Sequence, residues 1–144
     1  MWSVCHPKSE EIYTECACMG KNLNRLMQPA VLSILQRSDE PIHGYLIVQE
    51  LADSPMFGGQ KPDAAGLYRT LKQMEADGLV TSAWDTSAQG PAKRRFSITN
   101  KGGAALLRWV DTLACYTLAI DSLRAMCCDA LGMEVPSAPS CSEE

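Results

Sequence analysis

Three consecutive cations, Lys93, Arg94 and Arg95, are the residues of this chain whose type and spacing most clearly indicate a chemistry. Adjacent ammonium and guanidinium groups bind nucleic-acid phosphates, and an Arg side chain can also bind a guanine edge through two hydrogen bonds. The cations follow Gly90 and Pro91, which are typical of a turn. Successive residues of a strand point to opposite faces, and a charge on each face rarely serves a core. A soluble strand edge is the alternative to the phosphate contact that we expect here.

The residues before these cations predict a helix that leads directly into a hairpin. Asp63 is a good N-cap, the helical pattern continues to Asp77, and Gly78 can end the helix in a left-handed conformation. A strand pattern (79–84), a turn-rich link (85–92) and a second short strand follow. A helix followed by a basic hairpin is the layout of a winged helix-turn-helix, whose recognition helix enters the major groove.

The predicted DNA contacts lie on this helix, on the hairpin and at the start of an earlier helix (43–52). They are Tyr45, Asp63, Ala64, Gly66, Tyr68, Arg69, Lys72, Lys93, Arg94 and Arg95. Arg69 is the best candidate to read a guanine. The alternative for Tyr68, Arg69 and Lys72 is an ordinary solvated helix surface, and Tyr45 suits the core as well as the DNA backbone.

The net charge of −4 hides an uneven distribution along the 144 residues. Residues 61–101 contain seven Lys and Arg against four Asp and Glu, a net +3, whereas residues 102–144 contain two against six, a net −4. Attraction to phosphates depends on the local face of a protein, so the acidic total is compatible with DNA binding.

Length and composition favour one compact domain with an extension. The chain is 46% hydrophobic and 21% charged, as in ordinary globular proteins. No apolar run approaches the roughly 18–20 residues that span a bilayer, and the N-terminus lacks the order of a signal peptide. We therefore expect a cytoplasmic protein without a membrane partner. No nucleophile motif or phosphate-binding Gly loop is present, which argues against an enzyme.

A long helix is predicted from Thr99 to about Leu131. Apolar side chains recur along it at spacings of three and four, forming one stripe: Trp109, Leu113, Tyr116, Ile120, Leu123 and Cys127. A helix that projects from a small domain cannot bury such a stripe alone, so we expect it to pair with a second copy. The predicted organisation is an N-terminal extension with a helix (1–27), a DNA-binding domain (28–102), a dimerisation helix (103–132) and a disordered tail (133–144).

The motifs of residues 27–102 resemble the PadR-like transcriptional regulators. The resemblance rests on His43-Gly44-Tyr45, Gly66-Leu67-Tyr68-Arg69-Thr70-Leu71, Glu75-Ala76-Asp77-Gly78-Leu79-Val80, Gly90-Pro91-Ala92-Lys93-Arg94-Arg95-Phe96 and Thr99-Asn100-Lys101-Gly102. It implies a mainly α winged helix-turn-helix with a two-stranded wing, acting as a dimeric repressor of the short-tailed branch, in which an N-terminal helix packs against the dimerisation helices. The chain departs from the pattern at Arg95, where an aromatic is usual, and at Gly66, where Thr or Ser is common.

Two features leave the effector open. Trp109 and Tyr116 on the dimer stripe either pack in a core or line a cavity between subunits that accepts a flat aromatic ligand, as in the family's multidrug-binding members. The paired cysteines, Cys16 with Cys18 and Cys127 with Cys128, are either ordinary reduced thiols or ligands of a metal or iron–sulfur cluster. The second version gives a different function, a metal- or redox-sensing protein.

Overall fold

A computed structural model describes residues 26–57, 61–87 and 89–137 of the chain. Its elements, in chain order, are α1 (Met27–Arg37), β1 (Ile42–His43), α2 (Gly44–Asp53), α3 (Ala64–Ala76), β2 (Val80–Asp85), β3 (Lys93–Ile98) and α4 (Asn100–Leu131). The predicted mainly α fold with a small β wing and a long C-terminal helix is confirmed. Most of the predicted N-terminal helix lies outside the described residues.

The sheet contains one more strand than the sequence indicated. Its order is β1-β3-β2, and both pairs are antiparallel. β1 is only two residues long, with Ile42 opposite Phe96 and His43 opposite Arg95. The predicted two-stranded wing is therefore joined at its base to the segment that begins α2.

The core forms where three short helices meet the base of the wing. α1, α2 and α3 each bury one apolar face, as their helical spacing predicts. The side chains that are almost completely buried are Val31, Leu32, Ile47, Leu51, Leu67, Leu71, Met74 and Val80. This packing fixes α3 so that its opposite face points to solvent.

Side-chain caps determine where α3 and α4 begin. The Asp63 carboxylate accepts the N–H groups of Ala65 and Gly66 at 3.2 and 2.9 Å, and the Thr99 hydroxyl accepts that of Gly102 at 3.0 Å. Such caps satisfy donors that have no partner inside the helix. Gly132 then ends α4 with φ +66°. These boundaries agree with those expected from the sequence.

α4 consists of a packed beginning and an exposed continuation. Gly102 is buried against the Leu79 carbonyl, Ala105 is buried in the core, and Trp109 packs against the edge of the core. From Ala114 onward every residue of the helix except Cys128 is exposed. The apolar stripe thus continues past the point where its own domain stops covering it.

The sequence has no continuous apolar run long enough to span a bilayer, but the overall composition of α4 is apolar. By length and apolar content alone, α4 could cross a membrane, since its most apolar 18-residue window has a mean hydropathy of 1.2. The apolar residues of this helix are interrupted by polar ones, which hid the window from a search for continuous runs. A stripe at helical spacing also suits packing against another helix.

Candidate nucleic-acid interface

The outer face of α3 carries the polar side chains expected on a recognition helix. Leu67, Leu71 and Met74 hold the opposite face in the core. Tyr68, Arg69 and Lys72 are exposed, and the Arg69 side chain is 80% accessible. Its guanidinium lies 3.8 Å from the Asp63 carboxylate, a solvent-exposed pair that costs little to separate.

A glycine allows this face to continue onto α2. The Tyr68 ring lies over Gly44, and a Cβ on that glycine would be 2.7 Å from the Tyr68 hydroxyl and ring. Tyr45 follows in the first turn of α2 and is exposed. Tyr68 and Tyr45 therefore present two hydroxyls near the starts of the two helices, where phosphate contacts are made in helix-turn-helix proteins.

Lys93 extends the same surface onto the wing. Its ammonium lies 5.1 Å from the centroid of the Tyr45 ring, within range of a cation–π contact. The His43 ring stacks on the Tyr45 ring at 5.7 Å. Tyr45 thus connects the start of α2 with the first cation of β3.

Arg94 occupies the other face of β3 and is bound within the chain. It donates to the Glu75 carboxylate at 3.0 Å and to the Ser82 hydroxyl, and Ser82 in turn donates to Glu75 at 2.7 Å. Its guanidinium also lies 5.5 Å from the Trp84 ring. These contacts tie α3 to both strands of the wing. A phosphate contact of Arg94 stays a prediction.

Arg95 is also paired. Its Nε and Nη2 lie 2.9 and 2.8 Å from Oδ2 of Asp85, and His43 Nε2 lies 3.3 Å from the same oxygen. Hydrogen bonds from the Ser87 hydroxyl and backbone N–H, with Arg95, lower the pKa of Asp85 to about 2. Because this pKa lies below its usual 3.8, the network stabilises the fold at neutral pH and loses that contribution as the pH falls through about 2.

The remaining predicted contacts lie at the start of α3. Asp63 is its cap, Ala64 is exposed, and Gly66 lies against the cap, since a Cβ there would be 2.9 Å from Asp63 Oδ2. A larger residue at position 66 would disturb the cap. The structure thus gives Gly66 a local role, while its contact with DNA stays a prediction.

A separate apolar groove lies between α1 and the beginning of α4. Its volume is about 220 Å³, and Leu26, Pro29, Ala30, Met56, Trp109 and Leu113 contribute to its walls. The Trp109 indole N–H donates to Gln28 Oε1 at 2.8 Å, which fixes the orientation of the ring. Tyr116 meets Trp109 edge to face at 6.4 Å but does not line the groove. Ile120 and Leu123 lie beyond it on the exposed part of α4.

The two cysteines at the end of α4 point into different surroundings. Cys127 is exposed and Cys128 is buried, while Cys16 and Cys18 lie outside the described residues. Among residues 26–57, 61–87 and 89–137, no three His, Cys, Asp or Glu side chains are arranged to hold a metal ion. The thiolate metal site stays a prediction.

Sequence reasoning missed the acids and hydroxyls that hold the wing cations. Glu75 is separated from Arg94 by 19 positions, and Asp85 from Arg95 by 10. One signal was present: Asp85 begins the link between the strands, so a hairpin places it opposite Lys93. That placement also brings it within reach of Arg95, two residues further along the same face of β3.

Comparison with known proteins agrees with this geometry. Residues 31–108, more than half of the chain, match the sequence model of the transcriptional regulator PadR-like family. No curated protein sequence matches significantly. Solved structures do: a candidate transcriptional regulator from Thermoplasma acidophilum has a TM-score of 0.61 at 25% identity, covering 71% of this chain and 93% of its own.

Two further structures bear the family name. A PadR family regulator from Eggerthella lenta has a TM-score of 0.56 at 25% identity, covering 71% of this chain and 85% of its own. Bacillus subtilis PadR, solved in complex with operator DNA, has a TM-score of 0.52 at 20% identity, covering 60% of this chain and 46% of its own. At 20% identity the likeness shows a shared fold.

Proposed function

Because the chain belongs to the PadR-like family of transcriptional regulators, we propose that it is a homodimeric repressor that binds a specific operator and is released by a small aromatic ligand. One observation carries the DNA-binding part: a continuous exposed face joins Tyr68, Arg69 and Lys72 on α3 to Tyr45 on α2 and Lys93 on the wing. The proposed activity is binding in the cytoplasm and includes no catalytic step.

The parts of this face have different tasks. α3 enters the major groove, where Arg69 binds the O6 and N7 acceptors of a guanine. Lys72, Lys93 and the tyrosine hydroxyls contact phosphates, which sets the register of the protein on the duplex without reading its sequence. Arg94, which is held by Glu75 and Ser82, acts mainly through the position it gives to the wing.

The second copy is recruited through α4. The stripe that begins at Trp109 continues through Tyr116, Ile120 and Leu123, which are exposed in the single chain. Burial against the same helix of a second subunit removes this apolar surface from water. The dimer then presents two α3 helices to half-sites about one helical turn, roughly 34 Å, apart. Residues 28–102 form the DNA-binding domain and residues 103–132 the dimerisation helix.

The groove between α1 and α4 is the proposed effector site. An apolar cavity of about 150 Å³ is large enough to hold benzene, so the 220 Å³ found here suits one flat aromatic ring. Trp109 offers the face of a fixed ring for stacking, and Leu113 continues from the groove toward the exposed stripe. A ligand there contacts the helix that holds the dimer together.

The DNA-binding proposal is tested by comparing Arg69→Ala with Lys93→Ala. The probes are a duplex of about 30 base pairs selected by the parent protein from a random library, and an unselected duplex of equal length. Arg69→Ala should cost about 1–3 kcal/mol on the selected duplex and less on the unselected one. Lys93→Ala should weaken both equally and make the slope of log K against log salt about one unit shallower.

The exposed Arg108 supplies a control, because it lies on α4 and outside the face formed by α3, α2 and the wing. Arg108→Ala should leave the ratio of selected to unselected affinity unchanged. Equal losses on both duplexes for Arg69→Ala would remove Arg69 from base recognition. Failure of the parent protein to enrich any sequence would contradict the proposed function itself.

A further inference from the structure

The Asp85 carboxylate is the most completely bonded side chain of the wing. Oδ2 faces Arg95 Nε and Nη2 and His43 Nε2, and Oδ1 accepts from the Ser87 backbone N–H at 3.0 Å and from its hydroxyl at 2.5 Å. Its side chain is only 8% exposed. Charge-assisted hydrogen bonds of this number restrict both donors and acceptor strongly.

These bonds join three segments of the chain: the start of α2, the middle of β3 and the loop after β2. His43 precedes the first turn of α2, Arg95 lies in the middle of β3, and Ser87 lies in the loop that follows β2. The His43 ring in turn stacks on Tyr45, over which Lys93 is placed. Asp85 therefore supports, through His43 and Arg95, the part of the proposed interface where α2 meets the wing.

The arrangement leaves Arg95 able to reach outward. An Arg side chain has five N–H donors. Two of them face Asp85, and the Arg95 side chain remains 38% exposed. Binding one edge of the guanidinium fixes the direction in which the other edge points, which lowers the entropy lost when a second acceptor is bound.

We propose that Asp85 is a positioning residue for DNA binding: its carboxylate orients Arg95 and His43 so that the free guanidinium edge, Tyr45 and Lys93 together form one phosphate-binding surface. This inference rests on the proposed DNA binding. The Asp85 carboxylate and the DNA phosphates are both negative and repel each other, so Coulomb interaction alone predicts that Asp85 weakens binding.

The opposite signs of the two effects make the proposal testable. Asp85→Asn removes one negative charge and keeps the size of the side chain. If Asp85 only repelled phosphates, the variant would bind both duplexes more tightly and with a steeper salt dependence. If Asp85 positions its partners, affinity should fall by about tenfold, within the range measured for residues that share one bonded network. The probes are the selected and unselected duplexes described above.

Asp53→Asn provides the matched control for charge. Asp53 is exposed at the end of α2, and its replacement changes the net charge by the same amount without touching Arg95. Asp53→Asn should bind as tightly as the parent protein or slightly more tightly. Thermal unfolding of each variant establishes that loss of binding does not arise from loss of folded protein.

A second variant separates positioning from general support of the wing. In an Arg95→Gln background, Asp85→Asn should lower affinity less than it does in the parent protein, because only its contact with His43 remains to be lost. Equal effects of Asp85→Asn in both backgrounds would overturn the proposal, as would tighter binding by the single variant. The Arg95 Nε–H resonance offers a test without DNA: it should exchange slowly with water in the parent protein and rapidly in Asp85→Asn.

Binding by the parent protein distinguishes failure of the Asp85 positioning role from failure of the proposed DNA binding. A parent that binds its selected duplex while Asp85→Asn binds equally well contradicts the positioning role alone. A parent that selects no sequence contradicts the DNA-binding proposal, and the positioning role falls with it.

Discussion

The winged domain and the distal half of α4 satisfy their side chains in opposite ways. In the domain, apolar residues meet in one core, and the acids Glu75 and Asp85 are bound by arginines of the same chain. Along residues 114–131, apolar side chains lie in solvent: Ile120 is 63% exposed and Leu123 58%. A single chain is therefore enough to complete the domain but not the helix.

The change between the two regions occurs within one helix and without any break in its pattern. Ala105 is buried and Trp109 half-buried, while Tyr116, at the same helical spacing, is exposed. The apolar stripe of α4 is thus longer than the part that the winged domain covers. We expect its uncovered part, from Ala114 onward, to pack against a second subunit.

The largest effect should come from charges on the distal stripe. Replacing Ile120 and Leu123 together with Asp places two carboxylates where dimer contact would remove them from water, at high cost. Light scattering should report a monomer. Operator affinity should fall by about 10²–10⁴-fold, because the gain from binding two linked half-sites is lost.

The control adds the same two charges to another side of the helix. Ser122→Asp with Ala125→Asp should leave the dimer and the affinity near those of the parent protein. If the double variant at Ile120 and Leu123 stays dimeric, the exposed stripe of α4 is not the surface that joins the two subunits.

A smaller effect should separate the regions by their unfolding. Leu71 is fully buried, so Leu71→Ala should lower the free energy of unfolding by about 2–5 kcal/mol. Urea titrations should show this loss at every protein concentration. Leu123→Ala should instead change only the concentration-dependent part of the stability, which arises from subunit association.

Concentration-independent destabilisation by Leu123→Ala would place that side chain in the core of its own domain. Concentration-independent stability of the parent protein would count against association through α4.

The smallest effect on basal binding is expected at the boundary of the two regions. Trp109→Leu keeps an apolar side chain in the groove and on the stripe but removes the ring and its bond to Gln28, so operator affinity should fall far less than in the Ile120 and Leu123 variant. Release by nitrobenzene, used as a flat single-ring probe, should be lost. Tyr116→Leu should retain it, because Tyr116 does not line the groove.

Direct evidence for binding comes from fluorescence in a background with Trp2→Phe and Trp84→Phe. Saturable quenching of Trp109 by the probe is the expected result. Unchanged release in Trp109→Leu would move the effector site elsewhere.

The sequence predicted the elements that depend on neighbours along the chain. Asp63 was visible as the cap of α3 and Thr99 as the start of α4, because each acts within a few residues of its own position. β1 was not predicted, since its two residues form a strand only by pairing with Phe96 and Arg95. No local pattern of two residues distinguishes such a strand from a loop.

The candidate site divides along the same line. The exposed face of α3 followed from helical spacing alone, and Arg69 is placed there as expected. The partners of Arg94 and Arg95 did not follow, because they depend on the register of β2 with β3 and on how α3 lies against the sheet. A run of cations indicates that phosphates can be bound, whereas the fold decides which cations are already engaged.

Gly102 has a mechanical consequence. A Cβ at this position would lie 2.1 Å from the Leu79 carbonyl oxygen, so α4 rests directly on the backbone that follows α3. The Thr99 hydroxyl and the Lys101 ammonium hold the same junction through the Gly78 and Asp77 carbonyls at 2.6 and 2.7 Å.

α4 extends from this pivot as a lever. Its 32 residues reach about 48 Å, and a tilt of about 5° at the base carries the far end through about 4 Å. We expect a partner helix or a ligand that tilts α4 to move the end of α3 with it, because the two helices meet at this junction. Gly102 contacts the Leu79 peptide group and not a side chain. A change of side-chain rotamer therefore cannot absorb a tilt of α4 at this point.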